Sequence, residues 1–429
     1  MSTSSYSNCL KSLFSLRRFG IKLELDTIRH ILTALGNPQC SYRCIHIAGT
    51  NGKGSVAATL ATIIRAAGYR VGLYTSPHLI SFNERICINN RHIDNEDVVA
   101  TFEAVKSVHH GDREPTYFEF ATAMALYQFA KEQVDWAIIE TGMGGRYDAT
   151  NVITPILSVI TNISIEHKSY LGNTINEISM EKGGIIKDDT PVITGVHQKS
   201  AIDTIGAIAA EKNAPIYRLG KDFKVRKTKD GAFNYSGMFN KWSRLRSSLI
   251  GTHQIENAAL AMAACEILNR YHILLPLETI KSGLQTTHWP GRLEIVSSNP
   301  LVILDGAHNL MAARNLGRYL FEKLSSKRKT LIVGILDDKP YTTMIKDLAA
   351  PCDRVIVTQP KIDRALPAEI LLDTVKPLVS DVTIIRDVGE AVLDTIQSAS
   401  PTDAICVAGS LYVVGEAKAA LQNRLDIAH

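Results

Sequence analysis

Residues 44–55 read CIHIAGTNGKGS, an apolar, strand-like run that breaks into three closely spaced glycines, one lysine and a serine. Gly49, Gly52 and Gly54 let a backbone turn tightly and aim N–H groups inward. A helix over 55–67 adds the positive partial charge of its N-terminus, Lys53 adds a full charge, and the Ser55 hydroxyl can reach a magnesium ion. Together these are the parts of a polyphosphate cradle. The spelling departs from the ordinary G-x-x-x-x-G-K-[ST] loop, because Ile47 stands five positions before Gly52 and Gly54 separates Lys53 from Ser55. A plain turn between strand and helix has use for one glycine, but not for three with a lysine and a serine.

Outward from the loop, the helix over 55–67 ends at Gly68 and a strand over 70–74 follows, a β-α-β unit that implies a parallel sheet. Further strands are expected at 136–140, 156–160 and 191–194, with helical patterns at 118–131 and 200–211. Residues 222–250 break this rhythm with polar alternation around Gly231 and Gly237 and suggest a small antiparallel hairpin insert. Helices over 254–270 and 277–285 come next. After the turn residues Trp289, Pro290, Gly291 and Arg292, five strands alternate with five helices up to about residue 425. The expected class is therefore α/β. Residues 1–292 form a P-loop domain built on a parallel sheet, and residues 293–429 a smaller Rossmann-like domain. No G-x-G-x-x-G follows the first strand of the second series, so no dinucleotide is expected there.

A chain of 429 residues exceeds what one core usually supports, in keeping with two domains. A net charge of +4, with only short basic clusters such as that between Lys224 and Lys229, argues against a nucleic-acid partner. Seven cysteines without a C-x-x-C pair fit a reducing compartment rather than a disulfide framework. No run has membrane-spanning length, and the Ser-rich N-terminus lacks an apolar core followed by a cleavage site. A cytoplasmic protein is expected.

In an open parallel sheet, ligands gather beyond the carboxyl ends of the strands. Glu140 ends one such strand and His167 follows another, and carboxylate and imidazole both suit a divalent ion that bridges phosphates. The glycine-rich stretch GMGGRYDATN, 142–151, can fold over a substrate. Asp305 and His308 meet the same strand-end criterion in the second series.

Eleven separated stretches, in order along the chain, resemble the folylpolyglutamate synthase and dihydrofolate synthase branch of the Mur ligase superfamily. They are GTNGKGS (49–55), TSPHL (75–79), ERI (84–86), TYFEF (116–120), ETGMGGRYDATN (140–151), HKSYLG (167–172), EKGGIIK (181–187), GTHQIENAA (251–259), WPGRLE (289–294), LDGAHN (304–309) and AGSLY (408–412). The inserted Gly54 is part of the likeness. The related peptidoglycan ligases carry a UDP-sugar domain ahead of the loop, whereas only about 45 residues precede it here. The resemblance implies a Mur-type central domain, a glutamate-ligase C-terminal domain and an ATP-dependent reaction. ATP phosphorylates the carboxylate of a pteroate or folate, and the amine of L-glutamate attacks the acyl phosphate.

Carried over by the resemblance, Asn51, Gly52, Lys53, Gly54 and Ser55 hold ATP phosphates, while Asn257, Arg292 and Asp305 contact the nucleotide. Ser55, Ser76, Glu140 and His167 are the implied metal ligands. Lys182, carbamylated in the family, would join them as an anionic oxygen ligand. Thr116, Phe118, Asp148 and Ala149 line the pterin pocket, and His308 and Ser410 lie near the incoming glutamate. Lys53, Lys182 and His308 are the implied catalytic residues. The implied cofactors are ATP and two magnesium ions, with a monovalent cation as a further candidate. Partners are then small molecules alone, and a monomer is expected. Two departures stand out. Ser169 replaces an acidic residue common two positions after the metal histidine, and Gly183 replaces an alanine after the modified lysine. The alternatives are a peptidoglycan amino-acid ligase, disfavoured by Gly54 and the short N-terminus, and a P-loop nucleotide switch, which would need no substrate pocket.

Overall fold

The stretch around Cys44 forms β1 (Arg43–Ala48) at the heart of an eight-stranded sheet, in a computed structural model that describes residues 3–20, 22, 24–109 and 113–427. The remaining strands of this sheet are β2 (Val71–Tyr74), β3 (Ile86–Ile88), β4 (Arg91–His92), β5 (Trp136–Glu140), β6 (Leu157–Ile160), β7 (Val192–Thr194) and β8 (Ile216–Arg218). Their order is β4-β3-β2-β5-β1-β6-β7-β8, parallel throughout except for the hairpin of β3 and β4 at one edge. Apolar residues fill β1 and β5 because helices cover both faces of a parallel sheet. The chain leaves β1 toward β2, returns as β5 on one side of β1, and then adds β6 on the other. That reversal opens a crevice at the carboxyl ends of β5, β1 and β6.

The helix after the loop runs Lys53–Ala66, two residues earlier than expected, because Gly52 takes the capping position with φ 86°, a backbone open to glycine. The insert is larger than a hairpin. It is a three-stranded antiparallel sheet of β9 (Lys224–Lys227), β10 (Phe233–Ser236) and β11 (Lys241–Leu245). Its tip is fastened by the buried Glu266 of helix Thr252–Arg270, which accepts from Tyr235 Oη, Met238 N and Asn240 Nδ2, all at 2.9 Å. Helices Thr3–Ser15, Asp26–Ala34 and Asn95–Val108 pack with helix Tyr117–Lys131 into one apolar cluster, including Leu13, Ile28, Phe102 and Phe129.

The chain divides into two units, and the second comprises Leu79–Ser81, Leu249–Gly251 and His288–His429. Its sheet consists of β12 (Glu294–Ser298), β13 (Leu301–Leu304), β14 (Lys329–Val333), β15 (Arg354–Val357), β16 (Asp381–Ile384) and β17 (Ala404–Ala408). The order is β12-β13-β17-β14-β15-β16, with only β12 antiparallel. Among the described residues, no helix is long and apolar enough to cross a membrane.

Candidate active site

The loop leaving β1 is held open from below. Thr50 N donates to Asn162 O, Asn51 N donates to Asn162 Oδ1, and Asn51 O accepts from Thr161 Oγ1 and Asn162 Nδ2. The stretch after β6 thus props the loop after its neighbour β1. A Cβ on Gly49, which has φ 144°, would stand 1.9 Å from Thr161 Oγ1, and one on Gly52 would stand 2.4 Å from Asn257 Oδ1. Both positions require glycine for space as well as for backbone angle. Asn257, buried on helix Thr252–Arg270 and hydrogen-bonded to Gln254 Oε1, therefore touches the loop directly.

Val56 N makes the first return bond of the helix, to Gly52 O, and Gly52 provides no side-chain cap. The amides of Lys53, Gly54 and Ser55 lie in the turn that has no intrahelical acceptors. Lys53 curls back, its Nζ 3.0 Å from Gly49 O and 3.2 Å from Thr50 O. Ammonium, amides and helix terminus converge on one mouth, as a polyphosphate requires.

Glu140 ends β5 beside that mouth, in register with Ile47, and accepts from Ser76 N at 3.2 Å. Ser76 and Glu140, which the sequence could not bring together, are neighbours. His167 is exposed and takes φ 46° at the start of the short helix Lys168–Leu171. Lys182 lies near the end of helix Ile175–Gly183, 1 % exposed, and donates to Gly49 O at 2.9 Å and Glu166 Oε1 at 2.8 Å. Burial and nearby Lys53 push its amine below the usual lysine range, against the pull of Glu166. For Glu166, burial opposes ionisation, yet Lys182 and Lys53 together hold the carboxyl at about 2. Glu166 escaped the sequence reading. The signal was its place directly before His167, in the stretch that follows β6.

The expected pterin-pocket residues gather within the same unit. Phe118 stacks on Tyr74, with ring centroids 6.1 Å apart, and rests on Gly142, where a Cβ would come within 2.4 Å of the ring. Asp148 is buried and accepts from Met143 N at 2.8 Å, Thr150 N at 3.1 Å and Thr150 Oγ1 at 2.5 Å. Burial raises its carboxyl above the usual range despite these donors. His46 Nε2 reaches Thr150 Oγ1 at 2.8 Å, and burial pushes that imidazole down to about 3. Ala149 is buried in the turn Ala149–Val152. Thr116 has a further task. Its hydroxyl caps helix Tyr117–Lys131 by accepting from Glu119 N, and the Glu119 carboxylate accepts in turn from Thr116 N, a capping box legible in T-x-x-E.

In the second unit, β13 and β17 are parallel neighbours, so the residues beyond their carboxyl ends meet. Asp305 is buried, with Oδ2 accepting from Leu293 N at 2.8 Å and Oδ1 from Ala307 N at 3.0 Å, and burial raises its carboxyl despite Arg292. His308 Nδ1 is 2.8 Å from Gly306 O. Ser410 is buried and its Oγ accepts from Val413 N at 3.1 Å. A Cβ on Gly306 would stand 2.5 Å from Arg292 Nη1, so the arginine lies against this loop.

The oxygen donors suit magnesium. Among the described residues no three His, Cys, Asp or Glu side chains form a preformed metal cluster. A hard ion that takes one or two carboxylates and completes its shell with phosphate oxygens and water needs no such cluster. Ser76 and Glu140, side by side next to the phosphate cradle, supply that chemistry.

Residues 47–265 match the Mur ligase middle domain, and residues 291–411 match the Mur ligase, glutamate ligase domain. The dihydrofolate synthase/folylpolyglutamate synthase of Bacillus subtilis is 36 % identical, over 97 % of this chain and 99 % of its own length. Among solved structures, Escherichia coli FolC in complex with DHPP and ADP superposes with a TM-score of 0.90 at 30 % identity, covering 97 % of this chain and 98 % of that one. A bifunctional folylpolyglutamate synthase/dihydrofolate synthase with Mn, AMPPNP and L-glutamate bound superposes with a TM-score of 0.86 at 31 % identity, covering 96 % of this chain and 98 % of that one.

Proposed function

The chain belongs to the Mur ligase family, and from that premise we propose how its residues carry out glutamate ligation. The protein is an ATP-dependent ligase that joins L-glutamate to dihydropteroate, to reduced folates or to both, releasing ADP and phosphate. The observation that carries this reading is the uncapped, glycine-built loop at the end of β1, with Lys53 above it and Glu140 beside it.

The γ-phosphoryl group passes from ATP to a carboxylate oxygen of the pterin substrate, giving an acyl phosphate and ADP. The glutamate nitrogen then attacks the acyl carbon and loses a proton, and the C–O bond to phosphate breaks as the amide forms. Catalysis of the first step is mostly positioning and charge neutralisation. Asn51, Gly52, Lys53, Gly54 and Ser55 hold the phosphates, and Asn257, Arg292 and Asp305 bind the rest of the nucleotide. Thr116, Phe118, Asp148 and Ala149 shape the pterin pocket, and Phe118 is fixed well enough by Tyr74 and Gly142 to serve as a stacking surface. His308 and Ser410 serve the incoming glutamate. Ser55, Ser76, Glu140, His167 and Lys182 are assigned to magnesium, which when bound neutralises charge on the phosphate oxygens. Carbamylation of Lys182 would require its neutral amine, toward which burial pushes it. We place the protein in the cytoplasm as a monomer, a setting in keeping with its free cysteines.

Purified protein given ATP, magnesium and labelled glutamate, with dihydropteroate or tetrahydrofolate in separate reactions, should yield at least one acceptor heavier by one glutamyl residue, with matching ADP. ADP release that is independent of both acceptors, with no amide product, would contradict the reading.

A further inference from the structure

Arg85 is 5 % exposed, yet among the described residues no carboxylate pairs with it. Its Nε donates to His78 Nδ1 at 2.8 Å and its guanidinium carbon lies 5.2 Å from the centre of the Tyr117 ring, while among the described residues its terminal nitrogens make no hydrogen bond. Tyr117 shows a like deficit, because its hydroxyl is buried and has no hydrogen-bond partner among the described residues. Exposed Arg17 stands 5.0 Å from the same ring. A buried arginine that no carboxylate pairs and an enclosed hydroxyl without a hydrogen-bond partner are each costly, and native proteins rarely keep either without use. Side by side they form a donor set with one natural ligand. A guanidinium fork takes the two oxygens of a carboxylate in parallel, and a phenol adds a further hydrogen bond.

The pair adjoins the pterin pocket. Tyr117 lies between Thr116 and Phe118 in the chain, and Phe118 stacks on Tyr74. Arg85 O accepts from Thr75 N, directly after Tyr74, where β2 meets β3. We propose that Arg85 and Tyr117 form a carboxylate subsite whose ligand is the α-carboxylate of the glutamyl residue already present on a folate. Dihydropteroate carries a single carboxylate, which must face the phosphate cradle to react. A folate carries two, and the one that does not react needs a partner inside the enclosed site. The subsite is thus a specificity device that separates chain extension from first addition, and it rests on the ligation reaction proposed above.

The test compares the wild type with Tyr117→Phe and Arg85→Gln. Each is titrated with dihydropteroate and with tetrahydrofolate in the presence of magnesium and a non-hydrolysable ATP analogue, and KM for free glutamate is measured in parallel. Each variant should shift the folate-to-pteroate selectivity by roughly 10- to 100-fold against folate, the scale of a lost hydrogen bond to a charged group. Tyr117→Phe should melt no lower than wild type, because the oxygen it removes has no partner among the described residues. That variant keeps the test decisive if Arg85→Gln does not fold. An equal loss for both pterin ligands, or selectivity unchanged with a raised KM for free glutamate, would overturn the subsite. A wild type that ligates glutamate while both variants keep full selectivity removes the subsite alone. A wild type that ligates neither acceptor removes the reaction and the subsite together.

Discussion

Two parallel strands, β1 in the first unit and β13 in the second, each run into a loop and then a helix, but the two corners spend their hydrogen-bond donors differently. Helix Lys53–Ala66 starts on Gly52 with no side-chain cap, whereas helix Leu310–Lys323 starts on Asn309, whose Oδ1 accepts from Ala312 N at 3.0 Å. In the second corner, the Asp305 carboxylate also takes the amides of Leu293 and Ala307. In the first, the bracing hydrogen bonds come from Asn162 and Thr161 behind the loop and leave the first-turn amides facing the crevice. The same topology thus gives one corner that satisfies itself and one that keeps its donors for an anion.

The sharpest way to break this contrast is Lys53→Ala. Among the described residues its ammonium bonds only to carbonyls of its own loop, so the melting temperature should hold while turnover falls by roughly 10²–10³-fold or more. Steady-state ligation and a thermal melt on the same sample check this, and near-normal ligation by a folded variant would remove the lysine from the mechanism. Next in size is Gly49→Ala, whose Cβ would collide with Thr161 Oγ1 from a left-handed backbone. A loss of about 1–3 kcal/mol together with nucleotide binding is expected. Gly306→Ala in the second corner has a backbone that tolerates a side chain and first meets the flexible side chains of Leu411 and Arg292, so its loss of stability should be about 1 kcal/mol by urea titration. Equal losses would erase the distinction between the corners.

A third difference is chargeable. β1 buries His46, whereas β13 carries no titratable side chain. The folded imidazole titrates at about 3 against an ordinary 6.5, so between those values the unfolded chain binds a proton that the folded chain refuses. Its contribution is complete above pH 6.5 and drains as pH falls toward 3, by at most about 1.4 kcal/mol per pH unit. Urea midpoints for wild type and His46→Gln, taken from pH 7 to 4, should converge as pH drops, and parallel curves would refute the assignment. The smallest effect is Asn309→Ala, which should cost about 1 kcal/mol by removing the cap of its helix, read from the same titration.

The first corner was legible because its chemistry is local: three glycines, a lysine and a serine within seven residues, directly after an apolar strand. Glu140 was legible because strand ends in a parallel sheet are where ligands gather. What holds the corner in shape was not legible, because it comes from far along the chain. Asn162 and Lys182 reach the loop across more than a hundred residues, and Asn257 comes from a helix beyond the insert. Glu166 carries no pattern of its own in the sequence, and its place in the site comes from the contact with Lys182. The third strand of the insert was missed because β9 and β11 are short and charged, so the stretch reads as one hairpin, and the buried Glu266 that secures the turn between β10 and β11 comes from a separate helix. Strand β12 was missed for a similar reason, since EIVSS is an exposed edge with a weak apolar pattern.

The most direct test of the central claim, that the loop beyond β1 delivers phosphate to a carboxylate, follows an oxygen atom. A pterin acceptor labelled with ¹⁸O in its reacting carboxylate is turned over with ATP, magnesium and glutamate, and the inorganic phosphate and nucleotide are analysed by mass. One labelled oxygen should appear in each phosphate released and none in ADP. Label in AMP, or phosphate free of label while the amide forms, would contradict the account.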